Sequence, residues 1–398
     1  MKIGFFTDTY FPQVSGVSTS IRTLKQELEK RGHEVYIFTT TDPNVKELEP
    51  HIIRMPSIPF ISFKERRVVV RGGVYAYYIA KELGLDIIHT HTEFGLGFLG
   101  KITAKSLDIP CVHTYHTMYE DYLHYIANGK LVKTTHVKQF SKLFMANMSG
   151  VICPSQRVVD TLDRYGVEEP KEIIPTGIDI TQFKPRESIE LEQVREKYGI
   201  KETDLFLLSV SRISYEKNIH TLLKGMPKIV EAIPNVMFLI VGDGPYKQEL
   251  EALVAELALE EYVVFSGEIP NHEISPFYQA ADIFVSASDS ETQGLTYTEA
   301  MASSTQVVAK GNAYLDSLFD DISLGMTYEE DEDFADALIT FVRTSPGIDE
   351  EVTQRKLYGI SSEAFGESVE SFYEDTLQAF EWEQLNKEQF GSIKFFKK

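Results

Sequence analysis

The sequence predicts an α/β protein built from two doubly wound Rossmann-like domains facing across a cleft. Three observations predict it. Short apolar runs without polar alternation are separated by stretches of helical period, the pattern of parallel strands covered on both faces. The pattern restarts after a turn-rich stretch at 171–185. The chain's 398 residues are also long for a single hydrophobic core.

The elements follow in order. Residues 2–8 form an apolar run that ends in polar groups. Residues 17–31 carry Ile21, Leu24 and Leu28 at helical spacing and stop at Gly32, a good helix terminator. Residues 34–40, 86–91, 110–116 and 150–155 read as further strands with helices between them. After a charged stretch to about 201, strands are expected at 205–212, 236–242, 262–267, 282–287 and 306–310. Residues 361–386 are mixed amphipathic and read as one or two closing helices. The expected division is a first domain over 1–175, a linker over 176–200, a second domain over 201–365, and a closing helix and tail over 366–398.

Charge separates the halves. Residues 1–190 hold 23 Lys and Arg against 22 Asp and Glu, whereas 191–398 hold 16 against 38. An acidic half beside a neutral one excludes nucleic acid as the main partner and leaves the first half to meet an anionic surface. The alternative is that the second half simply carries solubilising charge. The start of the chain is too short in apolar residues for a signal peptide, and no run is long enough to span a membrane. Cys111 and Cys153 lie in apolar runs and read as free core thiols of a cytoplasmic protein.

In such sheets ligands bind beyond the carboxyl ends of the strands, and polar residues cluster there. Ser15-Gly16 before a helix can offer backbone N–H groups to a phosphate, or be only a turn. Arg212 and Lys217 share a strand-to-helix loop where two cations can clamp a diphosphate. Glu291 falls in a loop and Glu299 early in the helix that follows, so both can face one ligand and accept sugar hydroxyls; acidic residues also favour helix starts for their own sake. Gly294 permits close backbone approach. His89, His91 and His116 end neighbouring strands, where a structural role competes with a catalytic one. No cysteine or acidic partner at ligand spacing supports a metal site, so none is expected.

Together, Glu291-x7-Glu299, Arg212-x4-Lys217, Ile174-Pro-Thr-Gly-Ile-Asp179 and Val241-Gly-Asp-Gly-Pro245 resemble glycosyltransferase family 4, the retaining GT-B enzymes, over the chain up to about residue 380. Segments 5–17, 113–122 and 290–297 are similar to the bacterial branch that glucosylates diacylglycerol. The resemblance implies transfer of a hexose, glucose foremost, from a UDP-sugar to a diacylglycerol-type lipid with retention of the α-configuration and without a metal or other cofactor. It implies that Gly16, Arg212 and Lys217 bind the diphosphate, that Glu299 holds the ribose, and that Gly242, Asp243 and Gly244 line the nucleotide. Glu291, with Thr292, Gln293, Gly294 and Leu295, would hold the hexose, and His116 would contact it near the reacting face.

Two other readings stay open at this stage. One is a relative using a different UDP-hexose or a glycolipid acceptor; the other is a weakly catalytic paralogue serving as a partner subunit. The latter is suggested by Ser303-Ser-Thr-Gln306, where the family carries a helix-ending glycine. A lipid acceptor requires a membrane, and two basic, apolar segments suit the anionic inner face of the cell membrane: 54–71, with Lys64, Arg66 and Arg67, and 130–142, with Lys130 and Lys133.

Overall fold

The computed structural model describes the chain except residues 14, 46–48, 60–66, 70–71, 121–132, 289–290, 292 and 396–398; for 68 and 387–395 the backbone alone is described. The chain divides into two units. The first joins Met1–Gly177 to the C-terminal segment from Ser362, and the second is Ile178–Ser361.

The strands of the first unit are β1 (Lys2–Phe6), β2 (Glu34–Thr40), β3 (Ile52–Met55), β4 (Ser57–Pro59), β5 (Arg67–Val69), β6 (Ile87–Thr90), β7 (Cys111–Thr114), β8 (Gly150–Cys153) and β9 (Lys171–Ile173). Among the described residues, seven of them form one parallel sheet, in the order β3-β2-β1-β6-β7-β8-β9, while β4 and β5 pair as an antiparallel hairpin. β1 is flanked by β2 and β6, so the strand order reverses there.

The Gly16–Lys30 helix shows why the chain folds locally as it does. Ser15 and Ser18 form a reciprocal capping box, and Ile21, Leu24 and Leu28 are buried. Gly32, at φ +86, turns the chain into β2. Cys111 and Cys153 are buried and unbridged, and burial pushes both thiols up to about 12, which keeps them protonated.

The C-terminal helix, Ser362–Phe395, belongs to this first unit. Phe365, Val369, Phe372 and Tyr373 join the core of Ile3, Phe5, Ile21 and Leu24. Glu370 accepts from Arg31 at 3.0 Å and lies 2.7 Å from the His33 ring.

The second unit carries β10 (Leu205–Val210), β11 (Val236–Val241), β12 (Val263–Gly267), β13 (Ile283–Ser286), β14 (Gln306–Lys310) and β15 (Gly325–Tyr328). They form a parallel sheet in the order β12-β11-β10-β13-β14-β15. Successive residues serve opposite faces: Phe206 and Leu208 enter one core, Leu207 the other. Both faces are therefore sealed, and this is why these strands read as unbroken apolar runs. Residues 176–200, the stretch expected as linker, include a 3-10 turn at Ile180–Phe183 and a helix at Ser188–Lys197, with Phe183 and Val194 buried in the second unit.

The altered turn at 303–306 has a clear outcome. Ser304 itself adopts the left-handed conformation, φ +57. Its N–H bonds to Met301 O at 3.0 Å and that of Thr305 to Ala300 O at 2.9 Å, which is a complete Schellman cap. The missing glycine removes neither bond. Its absence costs backbone strain, about 1 kcal/mol for a residue with a Cβ in this region.

Candidate active site

In the second unit the sheet order reverses at β10, between β11 and β13. The loop after β10 carries Arg212 and Lys217, and the loop after β13 carries Glu291 and Gly294. Neighbouring strands thus deliver Lys217 and the first glutamate to one place, and these two meet. Lys217 Nζ lies 2.5 Å from Glu291 Oε1, and the buried Ser288 hydroxyl donates to the same oxygen at 3.1 Å. Arg212 is exposed on the same loop.

The glycines of the β11 loop have a visible mechanical reason. A Cβ on Gly242, at φ +140, would sit 1.9 Å from Ser211 O, and one on Gly244 would sit 2.2 Å from Ile213 O. Only glycine lets this loop lie flat against the loop after β10. Backbone bonds then join them, Ile213 N to Asp243 O at 2.9 Å and Tyr246 N to Ile213 O at 3.1 Å. Gly242, Asp243 and Gly244 brace the segment that holds Arg212.

Gly294, at φ +82, precedes the Leu295–Ala302 helix, and a Cβ there would strike the Tyr297 ring at 2.4 Å. Gln293 is buried and its amide donates to the Tyr314 hydroxyl at 3.3 Å. Glu299, on the next turn of that helix, is buried too, and Tyr278 donates to its Oε2 at 2.8 Å. Burial raises the pKa of Glu299, a rise that the Tyr278 hydrogen bond and nearby Asn271 limit. Thr292 lies outside the described residues.

In the first unit Gly16 is the first residue of its helix. Its φ is not positive and nothing lies within 4 Å of where a Cβ would be. Neither backbone nor packing calls for glycine there. In the adjacent loop the buried Asp8 carboxylate accepts from Thr92 Oγ1 at 2.7 Å and from Leu96 N at 3.1 Å, tying the β1 loop to the one after β6.

The histidines sort by partner. His89 lies between Tyr373 Oη, at 2.5 Å, and Thr114 Oγ1, at 2.7 Å. His113 contacts Thr90 Oγ1 at 2.8 Å and Glu93 Oε1 at 3.3 Å. These two are structural. His116 follows β7, and its Nε2 lies 3.1 Å from His91 Nδ1. Burial, helped by nearby His113, lowers the pKa of His116 to about 3, so the ring is neutral at physiological pH.

Of the basic segments, Lys64, Arg66 and Lys130 lie outside the described residues. Arg67 folds back on the hairpin, its Nε donating to Ser57 Oγ at 3.0 Å. Lys133 is exposed and begins the Thr134–Met145 helix, whose outer face also shows Lys138, Lys142 and a 67% exposed Leu143, while Val137, Phe144 and Met145 are buried.

Sequence reasoning missed Ser288, Tyr278, Asn271 and Tyr314. Each acts through a glutamate or glutamine that was found. Tyr278 sits in the run Ser275–Ala280 and reads as a core aromatic, so no local pattern marks its hydroxyl.

Two parallel-sheet units with acid and base gathered where the second sheet reverses define the GT-B class of glycosyltransferases. Solved structures share the fold. Sucrose-phosphate synthase from Thermosynechococcus elongatus superposes with a TM-score of 0.78 at 21% identity, covering 95% of this chain and 99% of that one. HepE from Anabaena, solved in complex with UDP, gives 0.76 at 19%, covering 94% and 100%.

Residues 14–182 match Glycosyltransferase Family 4 and residues 191–355 match Glycosyl transferases group 1. The chain belongs to glycosyltransferase family 4. It is 48% identical to the alpha-monoglucosyldiacylglycerol synthase of Streptococcus pneumoniae, covering all of this chain and 91% of that protein. It is 34% identical to the enzyme of the same name from Acholeplasma laidlawii, over 95% of this chain and 98% of the relative.

Proposed function

We propose that this protein transfers glucose from UDP-glucose to diacylglycerol and forms an α-linked monoglucosyl lipid. The observation that carries the reading is the 48% identity along the whole chain to an alpha-monoglucosyldiacylglycerol synthase. The site chemistry agrees with it. Arg212 and Lys217 stabilise the charge that grows on the departing diphosphate, an electrostatic effect prepared before the reaction begins. The Lys217–Glu291 pair keeps each charge compensated until the donor arrives. The diphosphate then takes the lysine, and hexose hydroxyls take the carboxylate. Glu299 holds the ribose, and Gln293, Gly294 and Leu295 meet the hexose through their backbone.

Gly16 lets a phosphate approach the start of its helix. His116, being neutral, orients the hexose by hydrogen bonding and carries no charge to the reaction. The acceptor hydroxyl attacks the face that UDP leaves, so configuration is retained, and the leaving phosphate oxygen takes the proton. No metal takes part.

Among the described residues no helix is long and apolar enough to cross a membrane. The enzyme reaches its acceptor from the surface of an anionic bilayer, with Lys133, Lys138, Lys142 and Leu143 on the approaching face.

The test is a product assay with UDP-glucose, diacylglycerol in vesicles and excess EDTA. Stoichiometric UDP and an α-anomeric glucosyl-diacylglycerol by proton NMR are expected. A β-anomer, or activity only without the chelator, contradicts the mechanism; absence of UDP release favours the partner-subunit reading.

A further inference from the structure

Tyr278 and Glu299 make a buried polar pair in the second unit. Tyr278 lies in the short Ser275–Ala280 helix with its ring against Phe183 and Phe284. Its backbone is fixed from the other side, since Thr305 Oγ1 donates to Tyr278 O at 2.6 Å. The ring therefore cannot drift, and its hydroxyl points at Glu299 Oε2, 2.8 Å away. Asn271, in the loop after β12, lies close by and also favours the ionised form of the Glu299 carboxyl. An ionised carboxylate offers about four acceptor positions. The Tyr278 hydroxyl takes one of them, which leaves room for both hydroxyls of a vicinal diol.

We propose that Tyr278, with Asn271 close by, is a positioning residue for the nucleotide: its hydroxyl aims the buried Glu299 carboxylate so that the remaining lone pairs accept the two ribose hydroxyls. This rests on the assignment of Glu299 to the ribose. The need for such donors is physical. Burial favours the protonated carboxyl, which would present a proton where two acceptors are required. The Tyr278 hydroxyl, bonded at 2.8 Å, and nearby Asn271 oppose that burial. Tyr278 is buried as well, which keeps its own hydroxyl protonated and donating.

The sign of the pH effect follows. Removing a donor raises the pKa of Glu299 further, so affinity for UDP fails at a higher pH as the solution is acidified. At alkaline pH the carboxylate ionises without help and affinity recovers.

The experiment is calorimetric titration of UDP into wild type, Tyr278→Phe, Asn271→Ala and Glu299→Gln from pH 5.5 to 9. For Tyr278→Phe the midpoint of the acid-side loss moves up by about one pH unit, with roughly fivefold weaker binding near the wild-type midpoint and near-normal binding at pH 9. Asn271→Ala moves it the same way, and serves alone if Tyr278→Phe does not fold. Glu299→Gln binds weakly at every pH. Equal weakening of Tyr278→Phe at all pH values, or an unmoved midpoint, overturns the proposal while leaving the ribose assignment intact. Wild-type binding by Glu299→Gln overturns the ribose assignment itself.

Discussion

Single residues carry two separable kinds of constraint here. Gly242 and Gly244 are required by contacts of the chain with itself, because any Cβ would overlap a backbone oxygen. Ser304 shows the reverse case: its left-handed backbone suits glycine, yet serine occupies it and the helix cap still closes. Ser304→Gly should therefore stabilise the protein by up to about 1 kcal/mol, the relief of strain being partly offset by a more flexible unfolded chain. Thermal unfolding is expected to shift upward by about 2 °C with activity unchanged. A fall in Tm would show that the serine side chain contributes something its backbone geometry does not reveal. The glutamates, the cations and the glycines were legible in the sequence because they cluster at strand ends. Tyr278 was not, since the function of a buried hydroxyl depends on a carboxylate 21 residues away in sequence.

At the scale of elements, the Gly16–Lys30 helix gives the sharpest test of a purely functional glycine. Its cap is made by Ser15 and Ser18, and the Cβ position of Gly16 is open. Alanine is the better helix former, so Gly16→Ala should leave Tm unchanged or slightly raised. If a phosphate closes on this helix start, the same change should raise KM for UDP-glucose by about tenfold or more, because the methyl group stands where the anion must come. Unchanged kinetics would remove Gly16 from the donor site. The strands of the sheet interiors were readable from apolar runs, since sheets sealed on both faces leave no alternation to confuse them, whereas β3, β9 and β15 at sheet edges and the β4–β5 hairpin were not. The Ser188–Lys197 helix was hidden by its charge: of its side chains only Val194 is buried, so apolar periodicity had almost nothing to report.

Across the whole molecule, charge and chain path work together. The acidic second half leaves the near-neutral first half as the part able to approach an anionic bilayer. The C-terminal helix returns to that first unit, where Tyr373 meets His89 and Phe372 lies over Gly150. Sequence alone marked this stretch as a closing helix, but which unit it closes depends on long-range packing that no local signal encodes. Changing Lys133, Lys138 and Lys142 together to Gln should reduce sedimentation with vesicles rich in anionic lipid by severalfold, with less effect as salt rises. Sedimentation equal to wild type at low salt would move the docking face elsewhere.

The central claim is that the loop after β10 holds the donor's diphosphate through Arg212 and Lys217. Titrating UDP into wild type, Arg212→Ala and Lys217→Ala by calorimetry tests it most directly. Binding by the wild type and a loss of about tenfold or more in each variant, with unfolding temperatures preserved, is the predicted result. Wild-type affinity in both variants would contradict it.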